Sequence, residues 1–285
     1  MPNLQTVHVL GTAQDGGYPQ VGCVKECCLS VWKNSENQRF PSCIALINQS
    51  TKKYWLFDVT PDVKFQIKML EAYDCTLAGV FITHAHIGHY MGLINFGLEV
   101  MNLSQLPIYV MHQMKSFLEN NSIIDQMIQN KNIDLIEIKN QEFLIIDDIR
   151  VKPFTVPHRN ELSETVGFQI YGESKKVVYL PDIDSWDGEL NNLIRLIKSN
   201  DILFIDGTFY SRNELVARDI SKIPHPAITE TMQLLSELDQ EEKKKVHFIH
   251  FNHTNDVLRD GSEAMKNVID EGFLLSREMQ TFQIS

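Results

Sequence analysis

Three histidines lie within six residues of this chain, at His84, His86 and His89. They directly follow the apolar run LAGVFI over 77–82, which is short and rich in branched and aromatic residues and so predicts a buried β-strand. The pattern that follows predicts an amphipathic helix over 88–103. The histidines therefore come at the carboxyl end of a strand, where an α/β sheet exposes its functional loops.

The spacing of these histidines favours metal binding. Imidazole is the usual protein ligand for zinc, iron or nickel. His84 and His86 are two residues apart and can point the same way from one loop, whereas His89 can reach a neighbouring position. A lone histidine is more often a core or surface residue, but three at this spacing predict a metal site.

The segment resembles the His-x-His-x-Asp-His signature of the metallo-β-lactamase superfamily, with Gly88 in place of the Asp. Further strand-end residues fit the same family pattern, namely Asp58, His158, Asp182 and His250. The resemblance covers nearly all of the 285 residues and implies an αββα sandwich of two mixed β-sheets with helices on the outer faces. We therefore expect a single domain over residues 1–285.

The resemblance also implies two neighbouring metal sites. The first would contain His84, His86 and His158, and the second would contain His89, Asp182 and His250, with Asp182 bridging the two. Asp184 is the main alternative for the bridging role, although its sequence context favours a surface loop acid. Because Gly88 supplies no carboxylate, we expect the second site to bind metal more weakly, or to prefer iron or manganese to zinc.

Within the superfamily, several segments resemble the branch that contains the pyrroloquinoline quinone biosynthesis protein B. They are the opening LGTAQDGGYPQ over 10–20 and the stretches 156–159, 206–209 and 250–255. Phosphodiesterases of the superfamily, including the tRNA 3′-processing enzymes, share the same overall layout. The quinone-pathway protein lacks part of the three-histidine motif that this chain keeps, so the resemblance leaves hydrolysis open.

Five further residues are candidates for roles around the metals. The neighbourhood of His225 resembles the segment from which tRNA-processing relatives supply a proton-donating histidine, and a loop histidine without a catalytic role is the alternative. Asp206 ends a strand and is a candidate to orient a ligand histidine. Arg159 is a candidate to bind an anionic group of the substrate, and Asp15 lies in a glycine-rich turn that can approach the site closely. His253 could support a metal ligand, contact the substrate or be the missing ligand of a structural metal.

These residues favour a metal-dependent hydrolase that uses a metal-bound hydroxide on a small ester, lactone, amide or phosphodiester. A bound metal ion lowers the pKa of water from about 15.7 to near 7. We expect one or two divalent metal ions, zinc before iron or manganese, with Asp182 and His225 as the candidate catalytic residues. The alternative is an iron-dependent oxygenase or biosynthetic enzyme like the quinone-pathway protein. A non-catalytic metal-binding protein is disfavoured because all six ligands are present.

The overall charge argues against nucleic-acid binding. The chain has 26 Lys and Arg against 37 Asp and Glu, a formal net charge of −11, whereas phosphate-backbone binding depends on cationic side chains. No apolar stretch is long enough to span a membrane. A strand pattern follows the opening Met-Pro-Asn almost at once, which leaves no room for a signal peptide and predicts a cytoplasmic protein. We expect a small-molecule substrate, and a homodimer stays open.

The five cysteines, an odd number, fit poorly with a disulfide framework. Cys23, Cys27 and Cys28 cluster after the glycine-rich opening and could hold a structural zinc with a fourth ligand from elsewhere. Relatives in the quinone branch carry a resembling cluster spaced Cys-x-Cys-x-x-Cys, in which Lys25 would take the middle ligand position. A structural zinc and ordinary reduced thiols are therefore both open.

Overall fold

The computed structural model describes residues 4–215 and 224–285, which contain two seven-stranded β-sheets. The first sheet has the order β14-β1-β2-β3-β4-β5-β6. Its strands are β1 (Gln5–Gly11), β2 (Cys43–Asn48), β3 (Lys53–Phe57), β4 (Thr76–Phe81), β5 (Leu106–Val110), β6 (Ile133–Glu137) and β14 (Thr281–Gln283). The strands from β14 to β3 pair antiparallel, and those from β3 to β6 pair parallel.

The second sheet has the order β13-β12-β11-β10-β9-β8-β7. Its strands are β7 (Leu144–Ile146), β8 (Ile149–Val156), β9 (Thr165–Tyr171), β10 (Lys176–Leu180), β11 (Ile202–Asp206), β12 (Val246–Ile249) and β13 (Leu274–Leu275). Pairing is antiparallel from β7 to β10 and parallel from β10 to β13. Both sheets are thus mixed, as predicted.

Nine α-helices connect the strands within the described residues. They are α1 (Glu26–Lys33), α2 (Val63–Met69), α3 (Ile87–Tyr90), α4 (His112–Glu119), α5 (Ser122–Gln129), α6 (Leu190–Ser199), α7 (Ile228–Leu234), α8 (Gln240–Lys243) and α9 (Glu263–Asp270). The Ser262 side chain caps α9 by accepting a hydrogen bond from Met265 N at 3.1 Å. None of these helices is long and apolar enough to cross a membrane.

Successive side chains of each strand point to opposite faces of its sheet. The core therefore has three layers, one between the two sheets and one on the outer face of each sheet. Aromatic rings of both sheets meet between them, with Phe81 stacked on Phe57 at 4.7 Å and edge-to-face against Phe168 at 5.5 Å. Val80, which precedes Phe81 and lies on the opposite face of the sheet, belongs to the cluster that packs under α4 and α5. The outer face of the second sheet packs on α6, α7 and α9 in the same way. This arrangement is the predicted αββα sandwich.

The helix predicted over 88–103 is wrong. The chain forms only the short α3 and then a 3₁₀ helix, Met91–Phe96. The His89 carbonyl accepts a hydrogen bond from Val59 N at 2.9 Å, so it does not continue the helix. A Cβ on Gly92 would lie 2.2 Å from the Thr60 carbonyl oxygen. The tertiary contact with the loop after β3 therefore overrides the amphipathic pattern.

Candidate metal centre

The predicted metal ligands all follow strand ends and meet at one edge of the sandwich. His84 and His86 come after β4, and His158 comes after β8. Asp182 and His250 come after β10 and β12 of the second sheet. Because ligands from both sheets converge there, the centre lies across the junction between the sheets.

The predicted first site is compact. His86 Nδ1 lies 2.9 Å from His84 Nε2 and 3.4 Å from His158 Nε2. One ring nitrogen of each of the three lies within 4.8 Å of those of the other two. His84 and His158 are each 2% exposed. The three imidazoles are therefore placed so that one ion could contact them all.

Asp182 stands between this group and the second one. Its Oδ2 lies 3.0 Å from His89 Nε2, 3.2 Å from His250 Nε2 and 3.5 Å from His84 Nε2. The side chain is buried. A single carboxylate thus faces histidines of both predicted sites, which is the position that a bridging ligand requires.

Three buried atoms of the centre make no hydrogen bond within the described residues. They are His89 Nε2, His250 Nε2 and Asp182 Oδ2. Leaving a buried polar atom unsatisfied costs about 1–3 kcal/mol, so such atoms usually have a partner. A cation between them would satisfy all three, because Asp182 Oδ2 lies only 3.0 Å from His89 Nε2 and 3.2 Å from His250 Nε2. The residues present therefore fit a metal ion.

Burial and charge prepare the donors for a metal. Burial lowers the pKa of His84 well below its usual range and that of His86 to about 4, so both imidazoles are neutral, as ligation requires. Burial alone would raise the pKa of Asp182, but His250 and His158 beside it hold that pKa well below its usual range. Asp182 is therefore ionised and able to bridge.

Asp58 orients His89 from the outer side. Its Oδ2 accepts a hydrogen bond from His89 Nδ1 at 2.7 Å, which leaves His89 Nε2 facing Asp182. The same carboxylate accepts bonds from Thr83 N at 2.8 Å and from the Tyr179 hydroxyl at 3.1 Å. A buried carboxylate that holds a histidine in this way fixes its tautomer and raises its basicity as a ligand.

Asp184 has a role that the sequence did not reveal. Its Oδ1 lies 2.8 Å from His158 Nδ1, so it orients that histidine toward the centre. The Asp182 carboxylate, and not Asp184, faces both groups of histidines. Asp184 is therefore a half-exposed loop acid rather than the bridging ligand, as its sequence context favours, and it also contacts a predicted ligand. The signal available was weak, since only the two-residue spacing from Asp182 linked it to the site.

Asp206 contacts His225 rather than a residue of the predicted ligand set. His225 Nδ1 lies 2.7 Å from Asp206 Oδ2 and 3.5 Å from Asp182 Oδ1. Thr208 Oγ1 lies 3.2 Å from His225 Nδ1 and 2.9 Å from His250 Nδ1, so it links the pair to the centre. The structure thus brings His225 to the centre and holds it there by a buried carboxylate.

A cavity of about 260 Å³ opens above the centre. His86, Asp182 and His225 form part of its lining, together with Asp15 and Arg159. The Arg159 guanidinium pairs with Glu161 at 3.3 Å and is partly exposed, as expected for a residue at a cavity mouth. The cavity connects the predicted ligands and the predicted anion clamp with solvent.

Comparison with known proteins agrees with this geometry. The sequence profile of the beta-lactamase superfamily domain matches residues 55–251, well over half of the chain. The chain belongs to this superfamily. The family resemblance seen in the sequence is thereby confirmed.

Similar proteins from the superfamily point to one branch. Coenzyme PQQ synthesis protein B from Methylobacterium sp. (strain 4-46) is 22% identical over 97% of this chain and 99% of its own length. The crystal structure of zinc-bound PqqB from Methylobacterium extorquens superposes with a TM-score of 0.81 at 20% identity, covering 97% of this chain and 99% of that one. The fold, two mixed sheets with outer helices, is thus shared.

Hydrolases of the superfamily share the fold as well. A diphosphatase of the PhnP family matches with a TM-score of 0.71 at 19% identity, covering 98% of this chain and 97% of that one. Human tRNase Z, short form, matches with a TM-score of 0.58 at 16% identity, covering 98% and 99%. At such identities the likeness concerns the fold.

The cysteine cluster meets a histidine from the loop after β12. Cys28 Sγ lies 3.3 Å from His253 Nδ1, and Cys27 Sγ lies 3.7 Å from the same nitrogen. With Cys23, these four residues place one donor atom each within 4.8 Å of the others. The four-donor set with thiol and imidazole ligands is the kind that holds structural zinc. His253 is thus the residue that the structure places where the fourth ligand was expected.

Proposed function

We propose that this protein is a metal-dependent hydrolase of a small ester, lactone, amide or phosphodiester. The observation that carries the proposal is a group of three buried donors, His89 Nε2, His250 Nε2 and Asp182 Oδ2. They make no hydrogen bond to any residue that the structure describes, and they face one space beside three further histidines. Zinc is the metal that a nitrogen-rich donor set of this kind favours, with iron or manganese as alternatives.

A divalent metal ion at such a centre supplies an activated water and polarises the bond to be broken. The chain's own residues position the metal, donate a proton and bind the substrate. Asp182 holds its carboxylate between the two groups of histidines, and His225 supplies a proton to the leaving group from the cavity wall. Arg159 binds an anionic part of the substrate at the cavity mouth.

The substrate class follows from the size and charge of the cavity. A volume of about 260 Å³ suits a small molecule. Arg159 is the only Lys or Arg among the cavity-lining residues in the described part of the chain, and the net charge of the whole chain is −11. One cation at the mouth suits a single carboxylate or phosphate group, whereas a nucleic-acid backbone needs several.

A second function is favoured by the relatives. Several proteins similar to this chain are named coenzyme PQQ synthesis protein B, a biosynthetic role rather than a hydrolytic one. An iron-dependent oxygenase could use the same histidine and carboxylate donors with open positions at the metal. The intact set of three histidines after β4 favours hydrolysis between the two.

The metal content and a substrate panel decide between these functions. The protein is purified without added metal, analysed for zinc, manganese and iron, and assayed on activated and unactivated esters, lactones, amides and phosphodiesters. Zinc or manganese together with hydrolysis supports the proposal. Iron with substrate-dependent dioxygen uptake and no hydrolysis across the panel overturns it in favour of the oxygenase.

A further inference from the structure

Asp15 fills the space that a side chain at Gly88 would need. An ideal Cβ on Gly88 would lie 2.3 Å from Asp15 Oδ1 and 2.6 Å from Asp15 Cα. Gly88 N donates a hydrogen bond to Asp15 Oδ1 at 2.9 Å. The chain therefore has no carboxylate of its own at position 88, but it has the carboxylate of Asp15 directly beside that position.

The turn that carries Asp15 is fixed to the loop of His250. Gln14 N donates to the Phe251 carbonyl at 2.9 Å, and Phe251 N donates to the Thr12 carbonyl at 2.8 Å. Gly17 closes the turn with a φ of 67°, which suits glycine, and its N donates to the Gln14 carbonyl at 2.8 Å. These backbone bonds place Asp15 next to the centre independently of any side-chain rotamer nearby.

We propose that Asp15 is a ligand of the second metal ion and supplies the carboxylate that position 88 lacks. This inference rests on the proposed metal-dependent function. Asp15 Oδ1 lies 3.8 Å from His89 Nε2, and Asp15, His89 and His250 each place a donor atom within 4.8 Å of the other two. Two atoms bound to one ion at about 2.0–2.2 Å lie at most about 4.4 Å apart, so Asp15 and His89 are close enough to share one.

The buried nitrogens point to the same ion. Among residues 4–215 and 224–285, His89 Nε2 and His250 Nε2 are buried and have no hydrogen-bond partner, and both face the space that Asp15 borders. With Asp15 and Asp182, the second site has two carboxylates and two imidazoles. Its anionic charge is then the same as that of a site with an Asp at position 88. The weaker second site expected from Gly88 is therefore replaced by a second site of ordinary strength.

The test measures bound metal. Protein purified with zinc present is dialysed against a graded series of chelator concentrations and its zinc is counted by elemental analysis. Asp15→Asn keeps an oxygen for the bond from Gly88 N but loses the charge. We expect it to lose one ion per chain at a chelator concentration at least about tenfold lower than the unmodified protein does, because losing a partner one bond further from a metal already costs about 10–100-fold.

Asp187→Asn is the matched control, since Asp187 is an exposed acid on the loop after Asp182. It should leave the zinc count unchanged. Circular dichroism of Asp15→Asn verifies that the fold is intact. The inference is overturned if Asp15→Asn retains every ion at the chelator concentrations that the unmodified protein tolerates.

A second variant keeps the inference testable even if Asp15→Asn misfolds. Asp15→Ala removes the carboxylate and adds no side chain at position 88, where a Cβ would lie 2.6 Å from Asp15 Cα. It should lose one zinc ion at a similarly lowered chelator concentration, and retention of every ion counts against the inference. The proposed function is tested separately. A protein that loses one ion with Asp15→Asn but hydrolyses no substrate would support Asp15 as a ligand and contradict the hydrolase.

Discussion

His225 and Asp206 form a buried pair in which the imidazole Nδ1 lies 2.7 Å from the carboxylate Oδ2. Burial alone would lower the pKa of His225, but the charge and hydrogen bond of Asp206 raise it to about 9. The imidazole is therefore protonated at neutral pH on the wall of the cavity. A protonated histidine there can donate its proton to a leaving group.

His225→Ala should slow substrates with poor leaving groups by about 10²–10⁴-fold, the usual contribution of a general acid. Activated substrates, such as nitrophenyl esters, should slow far less because their leaving groups need no proton. The measurement is kcat on matched pairs of substrates. His112→Ala, which removes an exposed histidine, is the control. An equal loss on both members of a pair would assign His225 to binding or folding instead.

Replacing His84, His86 or His158 with Ala should remove most of the metal from the first site. Each is one of three imidazoles whose ring nitrogens lie within 4.8 Å of one another, so the loss of one leaves the ion with too few protein ligands. Elemental analysis of the three variants gives the count. An unchanged metal content in all three would show that the ion binds elsewhere.

Asp58→Asn should weaken metal binding by about 10–100-fold without removing a ligand, because it loosens the orientation of His89. Tyr179→Phe is the matched control, since it removes the hydroxyl that contacts the same carboxylate and leaves the bond to His89 in place. The measurement is zinc affinity in competition with a chelator. Equal affinities for Asp58→Asn and Tyr179→Phe would contradict the role assigned to Asp58.

Acid should destabilise the fold partly through His247, which lies between the rings of Phe204 and Phe282 with centroid distances of 5.5 and 5.1 Å. Burial lowers the pKa of His247 to about 4. In the unfolded chain the pKa is about 6.5, so the unfolded state binds more protons between these values. The free energy of unfolding should therefore fall as the pH drops from about 6.5 to 4, by up to about 3 kcal/mol from this residue.

The variant His247→Phe should have a shallower loss of stability over that pH range. Denaturant unfolding at several pH values measures it, and the difference between variant and unmodified protein cancels any loss of metal common to both. His112→Gln removes a histidine from the surface and is the control. Parallel pH profiles for His247→Phe and the unmodified protein would contradict the assignment.

The strand that carries the histidine motif was predictable from sequence because it is apolar and its carboxyl half is buried. The apolar run over 77–82 coincides with the observed β4, Thr76–Phe81. Edge strands were missed because they are short or partly polar. β13 has two residues, and β14 has three of which two are exposed. Such strands form only because a neighbouring strand is already in place.

The ligand set was visible in the sequence because its members, except His89 on α3, lie in the loops just after buried strands. The contacts among the supporting residues were not visible. Asp15 is more than seventy positions from Gly88, yet its Oδ1 accepts the Gly88 N–H. The roles of Asp184 and Asp206 became clear only from their partners in the structure, which are His158 for Asp184 and His225 for Asp206. Loop conformation decides these pairings, and no local pattern encodes it.

Ile284 joins the two sheets through its backbone. Its N donates to the Gln5 carbonyl of β1 at 2.9 Å, and its carbonyl accepts from Ser174 N at 2.9 Å in the turn between β9 and β10. The side chain is fully buried between the sheets. These contacts close a loop of nearly the whole chain, and such long-range closure slows folding. On the ribosome, therefore, β1 is made before the other thirteen strands but obtains its last partner, β14, only after residue 284 has emerged, so the sandwich closes only once this segment has been translated.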